Sequence, residues 1–195
     1  MFGETARFFG KHILKLFLLT LGAIVLLTIV FFYYYEQNPA YAIEEIQSFK
    51  ATTANLITSD NKISFIALFL NNIKAGTFYL LFGFIAPLSV LVTVILTKSL
   101  GASLVYSQVE NSIPAWKGLL VNVLPHGIFE LSAVCLCISV GLYIGTYWFR
   151  KNKVYRGKQL IKYTVILYVC LVFPLMLLAA LIEAYITPQL GAMFL

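Results

Sequence analysis

Long apolar runs separated by short polar stretches dominate the chain. A helix needs about 20 apolar residues to cross a bilayer, and five segments supply them: 13–35, 65–84, 88–106, 126–149 and 163–186. The pattern predicts an all-α integral membrane protein of about five transmembrane helices, forming one membrane domain over residues 1–195. Between Phe65 and Val105 the apolar signal is almost unbroken, too long for one span, and Gly83 with Pro87 marks the turn that divides it. Residues 118–125 are apolar but short and are halted by Pro125. They read as the first turns of a kinked helix or as a re-entrant piece, and both readings place a helix break before His126. In the polar stretch 36–62, an amphipathic helix is expected around residues 42–51.

Composition agrees with the pattern. Apolar residues make up 61% of the 195 and charged residues 11%, with a mean hydropathy of +0.88. A soluble domain has roughly 45–50% apolar and about 25% charged residues, so the lipid bilayer is the expected solvent and partner. The net charge of +6 does not point to nucleic acid, because the basic residues concentrate where topology needs them. Arg7, Lys11 and Lys15 flank the first span, while Arg150, Lys151, Lys153, Arg156, Lys158 and Lys162 follow the fourth. An excess of Lys and Arg marks cytoplasmic segments. The two basic regions agree only if an even number of spans separates them, and the divided 65–106 segment makes that number four. The expected topology has a cytoplasmic N-terminus and an external C-terminus. The first span ends in Phe31-Phe32-Tyr33-Tyr34-Tyr35, an interfacial aromatic belt rather than a cleaved leader.

Cys135, Cys137 and Cys170 all lie in apolar runs and read as small buried hydrophobes, not as a disulfide or metal framework. No phosphate-cradling glycine run appears, so any energy must come from a partner or a gradient. No cofactor and no metal is expected.

Inside the spans, an ionisable group costs several kcal/mol and needs a reason. Of the eight acids only Glu130 and Glu183 fall there. His126 precedes Glu130 by four residues, which puts both on one helix face a turn apart. Lys98 lies in the third span and is expected to snorkel or to pair with Glu130 or Glu183. Asn71 and Asn72 carry amides able to bond across helices. Together Asn71, Asn72, Lys98, His126, Glu130 and Glu183 form the expected functional polar cluster. It admits three readings: hydrogen-bonded glue between helices, a binding site or ion relay, and catalysis or metal binding, the last requiring Glu183 to complete His126 and Glu130. Gly141-x3-Gly145 offers a small face for close helix packing.

Three stretches carry a family resemblance: Phe69-Leu70-Asn71-Asn72-Ile73, Leu124-Pro125-His126-Gly127-Ile128-Phe129-Glu130-Leu131 and Ala180-Leu181-Ile182-Glu183-Ala184-Tyr185-Ile186-Thr187-Pro188. In order and separation the chain resembles the stage II sporulation protein M family, in its branch with Pro-His-Gly-x-x-Glu. By position, the resemblance assigns the recurring polar residues to Asn71, Asn72, His126, Glu130 and Glu183. Where many members have Asn-Gly in the third span, this chain has Thr97-Lys98-Ser99-Leu100-Gly101. The resemblance implies a multi-pass protein of the bacterial cell membrane that works with other membrane proteins. Roles in the family include a scaffold for envelope-degrading enzymes, a companion of ABC transporter subunits, and a factor in maturation or export of circular bacteriocins. The expected function is a non-enzymatic membrane subunit that handles a peptide or envelope partner, with possible self-association. The alternatives are an intramembrane enzyme acting on a hydrophobic peptide, with catalytic Glu130, His126 and Glu183, and an ion- or proton-coupled transporter.

Overall fold

The computed structural model describes residues 2–57, 63–147, 149 and 154–194. Arg150, Lys151 and Lys153 of the basic segment, with Asp60 and Lys62 of the polar stretch, lie outside the described residues. Among the described residues six long helices follow one another, α1 Phe2–Gln37, α2 Pro39–Thr52, α3 Phe65–Gly83, α4 Ala86–Asn111, α5 Ala115–Tyr147 and α6 Gly157–Phe194, with a short 3-10 turn at Ala54–Leu56. All but α2 are long and apolar enough to cross a membrane. Among the described residues no strand forms, and a single bridge joins Ile57 to Ile63. The five spans match the apolar pattern, but α1, α4 and α6 outrun it at both ends and α5 at its start. Apolarity stops at the headgroups, whereas backbone hydrogen bonding continues through flanks such as Phe2–Phe8 and Gly157–Leu167.

Local chemistry explains the boundaries. Ser64 caps α3 by accepting from the Ala67 backbone N–H at 3.3 Å. The expected turn between the second and third spans is present: α3 stops at Gly83, and Pro87 sits in the first turn of α4. There its missing N–H breaks no intrahelical bond. Pro39 opens α2 in the same way, and α2 covers the predicted amphipathic segment. Its Ala42 and Ile46 pack with Tyr35 of α1 and with Ala102 and Val105 of α4.

At the centre stands α5, buried continuously over residues 133–141. A Cβ at Gly83 would come within 2.7 Å of Gly141 Cα, and one at Gly145 within 2.6 Å of the Phe84 carbonyl carbon. The Gly141-x3-Gly145 face therefore lets α5 touch α3 backbone to backbone, the close approach that small residues permit. Gly76 meets Cys137, Gly83 meets Gly141, and Phe84 meets Gly145, so α3 and α5 run in the same direction. Cys135 and Cys137 are buried as small apolar groups, while Cys170 is exposed on the outer surface of the bundle.

Four π turns, which close with hydrogen bonds one residue longer than α-helical ones, interrupt the spans: Phe9–Ile13, Leu119–Val123, Tyr168–Val172 and Ile182–Ile186. The last three stand in the same relation to a proline. Each ends two residues before one, at Pro125, Pro174 and Pro188. In a regular helix the proline ring strikes the carbonyl four residues earlier. That carbonyl belongs to Val121, Cys170 or Ala184, in every case inside the π turn, where the wider winding makes room. Of the two expected readings the first is found: residues 118–125 are early turns of α5, where the π turn interrupts the regular α-helical pattern before His126 and the helix continues past Pro125.

The N-terminal segment closes one end of the bundle. Phe8 is fully buried and packs at 5.2–5.4 Å between ring centres against Tyr143, Tyr155 and Tyr163. The basic flank of α1 thus lies at the same end as the 147–157 connection, as the parity of the spans requires.

Candidate intramembrane His–Glu–Glu site

At the opposite end of the bundle, α5 and α6 bring three ionisable side chains together. His126 and Glu130 lie one turn apart on α5, a register that the π turn at Leu119–Val123 precedes without disrupting. Glu183 comes from the second residue of the Ile182–Ile186 π turn in α6. One ligand-type atom from each residue lies within 4.8 Å of the other two. His126 Nε2 stands 3.9 Å from Glu183 Oε2, beyond hydrogen-bonding distance, and His126 Nδ1 lies 3.4 Å from Thr187 Oγ1. All three residues are partly buried, the imidazole 14% and the Glu183 side chain 26% accessible. From Ala115 to His126, and from Glu183 to Phe194, the helices run about three turns, or roughly 16 Å. The cluster therefore lies about three turns inside the ends of both helices, where the apolar spans 126–149 and 163–186 begin and end.

Among the described residues, no lysine or arginine pairs with Glu130 or Glu183. Lys98 does not join the cluster: of the two expected outcomes, pairing with Glu130 or Glu183 is not found, and its side chain reaches an accessible face instead. Its Nζ binds Glu45 Oε2 at 2.6 Å, and Ser99 Oγ donates to Glu45 Oε1 at 3.2 Å. The reason is geometric. α2 folds back along α4 and carries Glu45 to the face where Lys98 emerges, so a nearer carboxylate satisfies it. Asn72 is buried on α3 with its Nδ2 unpartnered, whereas Asn71, next to it, points outward and is exposed. Two contributors escaped the sequence reading. Thr187 follows Glu183 by four residues, a spacing that puts it on the same face. Glu45 was recoverable only from the need of Lys98 for a counter-ion.

Chemically, the three groups offer one imidazole nitrogen and two carboxylates in a poorly hydrated setting. Such a set can exchange protons, accept hydrogen bonds from a bound partner, or hold a cation. A separate groove of about 620 Å³ opens between α1, α4 and α5, lined by Ile24, Ile29, Leu100, Leu104, Trp116 and Leu131 among others. None of the three ionisable residues lines it.

Neither the curated proteins nor the solved structures yield a match to the chain. The model of the family described as Stage II sporulation protein M does match, over residues 12–188. That range includes all five spanning segments, the ionisable cluster and Thr187, and the chain belongs to the stage II sporulation protein M family.

Proposed function

We propose that the chain is a non-enzymatic, multi-pass subunit of a bacterial membrane complex that organises a cell-envelope partner or assists export or maturation of a hydrophobic peptide. The observation that carries this reading is the convergence of His126, Glu130 and Glu183 at membrane depth. Carboxylates held in lipid are costly, and a concentrated polar point gives a partner's polar group a contact that lipid cannot offer. The apolar groove beside α1 supports the same reading by adding surface for a membrane segment. The chain carries no phosphate-binding loop, which fits a subunit whose energy comes from a companion such as an ABC transporter, and self-association is compatible with the bundle. The positive-inside bias orients it with the N-terminus cytoplasmic and the C-terminus outside, placing the cluster in the outer half of the membrane.

The same convergence favours one second reading, an intramembrane enzyme in which Glu130 or Glu183 acts as general base and His126 as acid. A deletion strain complemented with wild type or Glu130→Gln separates the two. The subunit reading expects the variant to reach the membrane at wild-type level and to lose the partner-dependent phenotype. It also expects purified wild-type chain to leave hydrophobic peptides encoded beside it uncleaved and unjoined. Turnover of such a peptide by purified chain, abolished by Glu130→Gln, overturns it.

A further inference from the structure

We infer that His126, Glu130 and Glu183 form a binding site for one divalent transition-metal ion of the zinc class. The inference deepens the reading of this cluster as the functional centre and concerns the isolated chain, so it is tested without any partner.

Charge balance is the first argument. As metal ligands Glu130 and Glu183 carry two negative charges, and among the described residues neither pairs with Lys or Arg. Lys98, the lysine expected to serve, is held by Glu45 at 2.6 Å. A divalent ion cancels both charges at once and removes the need for an organic counter-ion.

The orientation of His126 is the second, independent argument. His126 Nδ1 lies 3.4 Å from Thr187 Oγ1, which can accept its proton, and in that tautomer the Nε2 lone pair faces Glu183 Oε2 across 3.9 Å. The 3.9 Å separation is too long for a hydrogen bond and leaves room for an ion between the two groups. A metal-bound histidine has this same arrangement, with its second nitrogen donating to an outer partner that fixes the ring. Ligand bonds of about 2.0–2.2 Å put neighbouring tetrahedral ligands about 3.4 Å apart. The 3.9 Å pair is already near that spacing, and the widest separation of 4.8 Å closes by rotation of the glutamate side chains.

Donor chemistry narrows the ion. One imidazole and two carboxylates suit zinc, iron or manganese rather than the thiolate-seeking metals. Three protein ligands leave a fourth position open, the arrangement of zinc sites that bind an exogenous group. The His126 ring and the Glu183 side chain are partly accessible, so that position is reachable from outside the bundle. His-x3-Glu on one helix supplies two ligands a turn apart, and the π turn in α6 supplies the third. π turns of this kind concentrate at functional sites.

The test uses the full chain in nanodiscs, stripped with chelator and titrated with Zn²⁺ alone, with bound metal measured by mass spectrometry. About one equivalent per chain is expected. His126→Ala, Glu130→Gln and Glu183→Gln each should weaken binding roughly a hundredfold or more, and Thr187→Val about 10–100-fold through loss of the outer partner. Glu44→Gln, an exposed acid on α2, should leave it unchanged. Co²⁺ loading of wild type covers the case in which a ligand variant fails to fold. Visible bands of a nitrogen- and oxygen-ligated ion, without the intense near-ultraviolet band of thiolate ligation, support the site. Thiolate absorption would assign the metal to the cysteines and overturn it. Absence of a bound equivalent, or binding indifferent to all three ligand variants, also overturns it. Failure of the complementation test with metal binding intact overturns the subunit reading instead.

Discussion

Two ionic groupings inside the bundle invite comparison. Lys98 and Glu45 form a complete pair at 2.6 Å on an accessible face, with side-chain accessibilities of 45% and 20%. His126, Glu130 and Glu183 form an incomplete group between helices, with two acids, one imidazole and no cationic partner among the described residues. A pair exposed to this degree contributes little to stability, typically below about 1 kcal/mol. An unpaired charge held away from water costs several times that. The first arrangement is what a chain does with a membrane lysine it only needs to neutralise. The second is tolerated at a cost, which is why it is the place to look for function.

Four measurements break or sharpen this contrast. The largest effect attacks the frame that holds one grouping and not the other. Gly145→Leu drives a side chain into the Phe84 backbone, and overpacking of this kind costs about 3 kcal/mol or more. Purification should yield little monodisperse protein, and near-normal yield would show that the α3–α5 contact is looser than described. Next in size, Glu130→Leu in metal-free protein should raise stability by about 1–3 kcal/mol, because a carboxyl group without a hydrogen-bond partner gives way to an apolar side chain. Thermal melting in chelator reads this, and a fall would mean that Glu130 has a favourable partner without metal. Asn72→Leu follows, since the Asn72 amide Nδ2 is buried and unpartnered. Replacement should be neutral or stabilising by up to about 1 kcal/mol, whereas clear destabilisation would assign that N–H a bonded role. Smallest is the coupling of Lys98 to Glu45. A double-mutant cycle with Lys98→Met and Glu45→Gln should give about 0.2–1 kcal/mol, shrinking as salt rises. A salt-independent coupling would mean that lipid shields the pair.

The contrast also shows which parts of the structure the residues announced. The five spans were legible because apolar length is a direct readout of lipid as solvent. The turn at Gly83–Pro87 was legible because the apolar run is too long for one span and proline is favoured in the first turn of a helix. His126 and Glu130 were placed together by a four-residue spacing, a purely local relation. Their union with Glu183 required three-dimensional packing, and the sequence reading held it open as one option among several. Lys98 was misassigned for the same reason. Its partner Glu45 sits on a helix expected to lie in an outer loop, and nothing in the chain's pattern said that α2 would fold along α4. The π turns were partly visible through Pro125. Proline, however, signals only that a helix must give way; it does not say whether the chain breaks, bends or widens.

The π turns carry a consequence in terms of residue count. Each stores one residue more than a regular helix of the same length, so the chain beyond it is turned by about 100° relative to where it would otherwise point. Glu183 and Thr187 straddle the end of one such surplus, and His126 follows another. The azimuth at which the three ionisable groups face each other is thus set by insertion as much as by the identity of any side chain. Deleting one residue within 119–123 would preserve every ligand, yet rotate Trp116 and the start of α5 away from their present face. Among relatives of this chain, the length of that segment should accordingly be as strict a signature of the site as His126 itself.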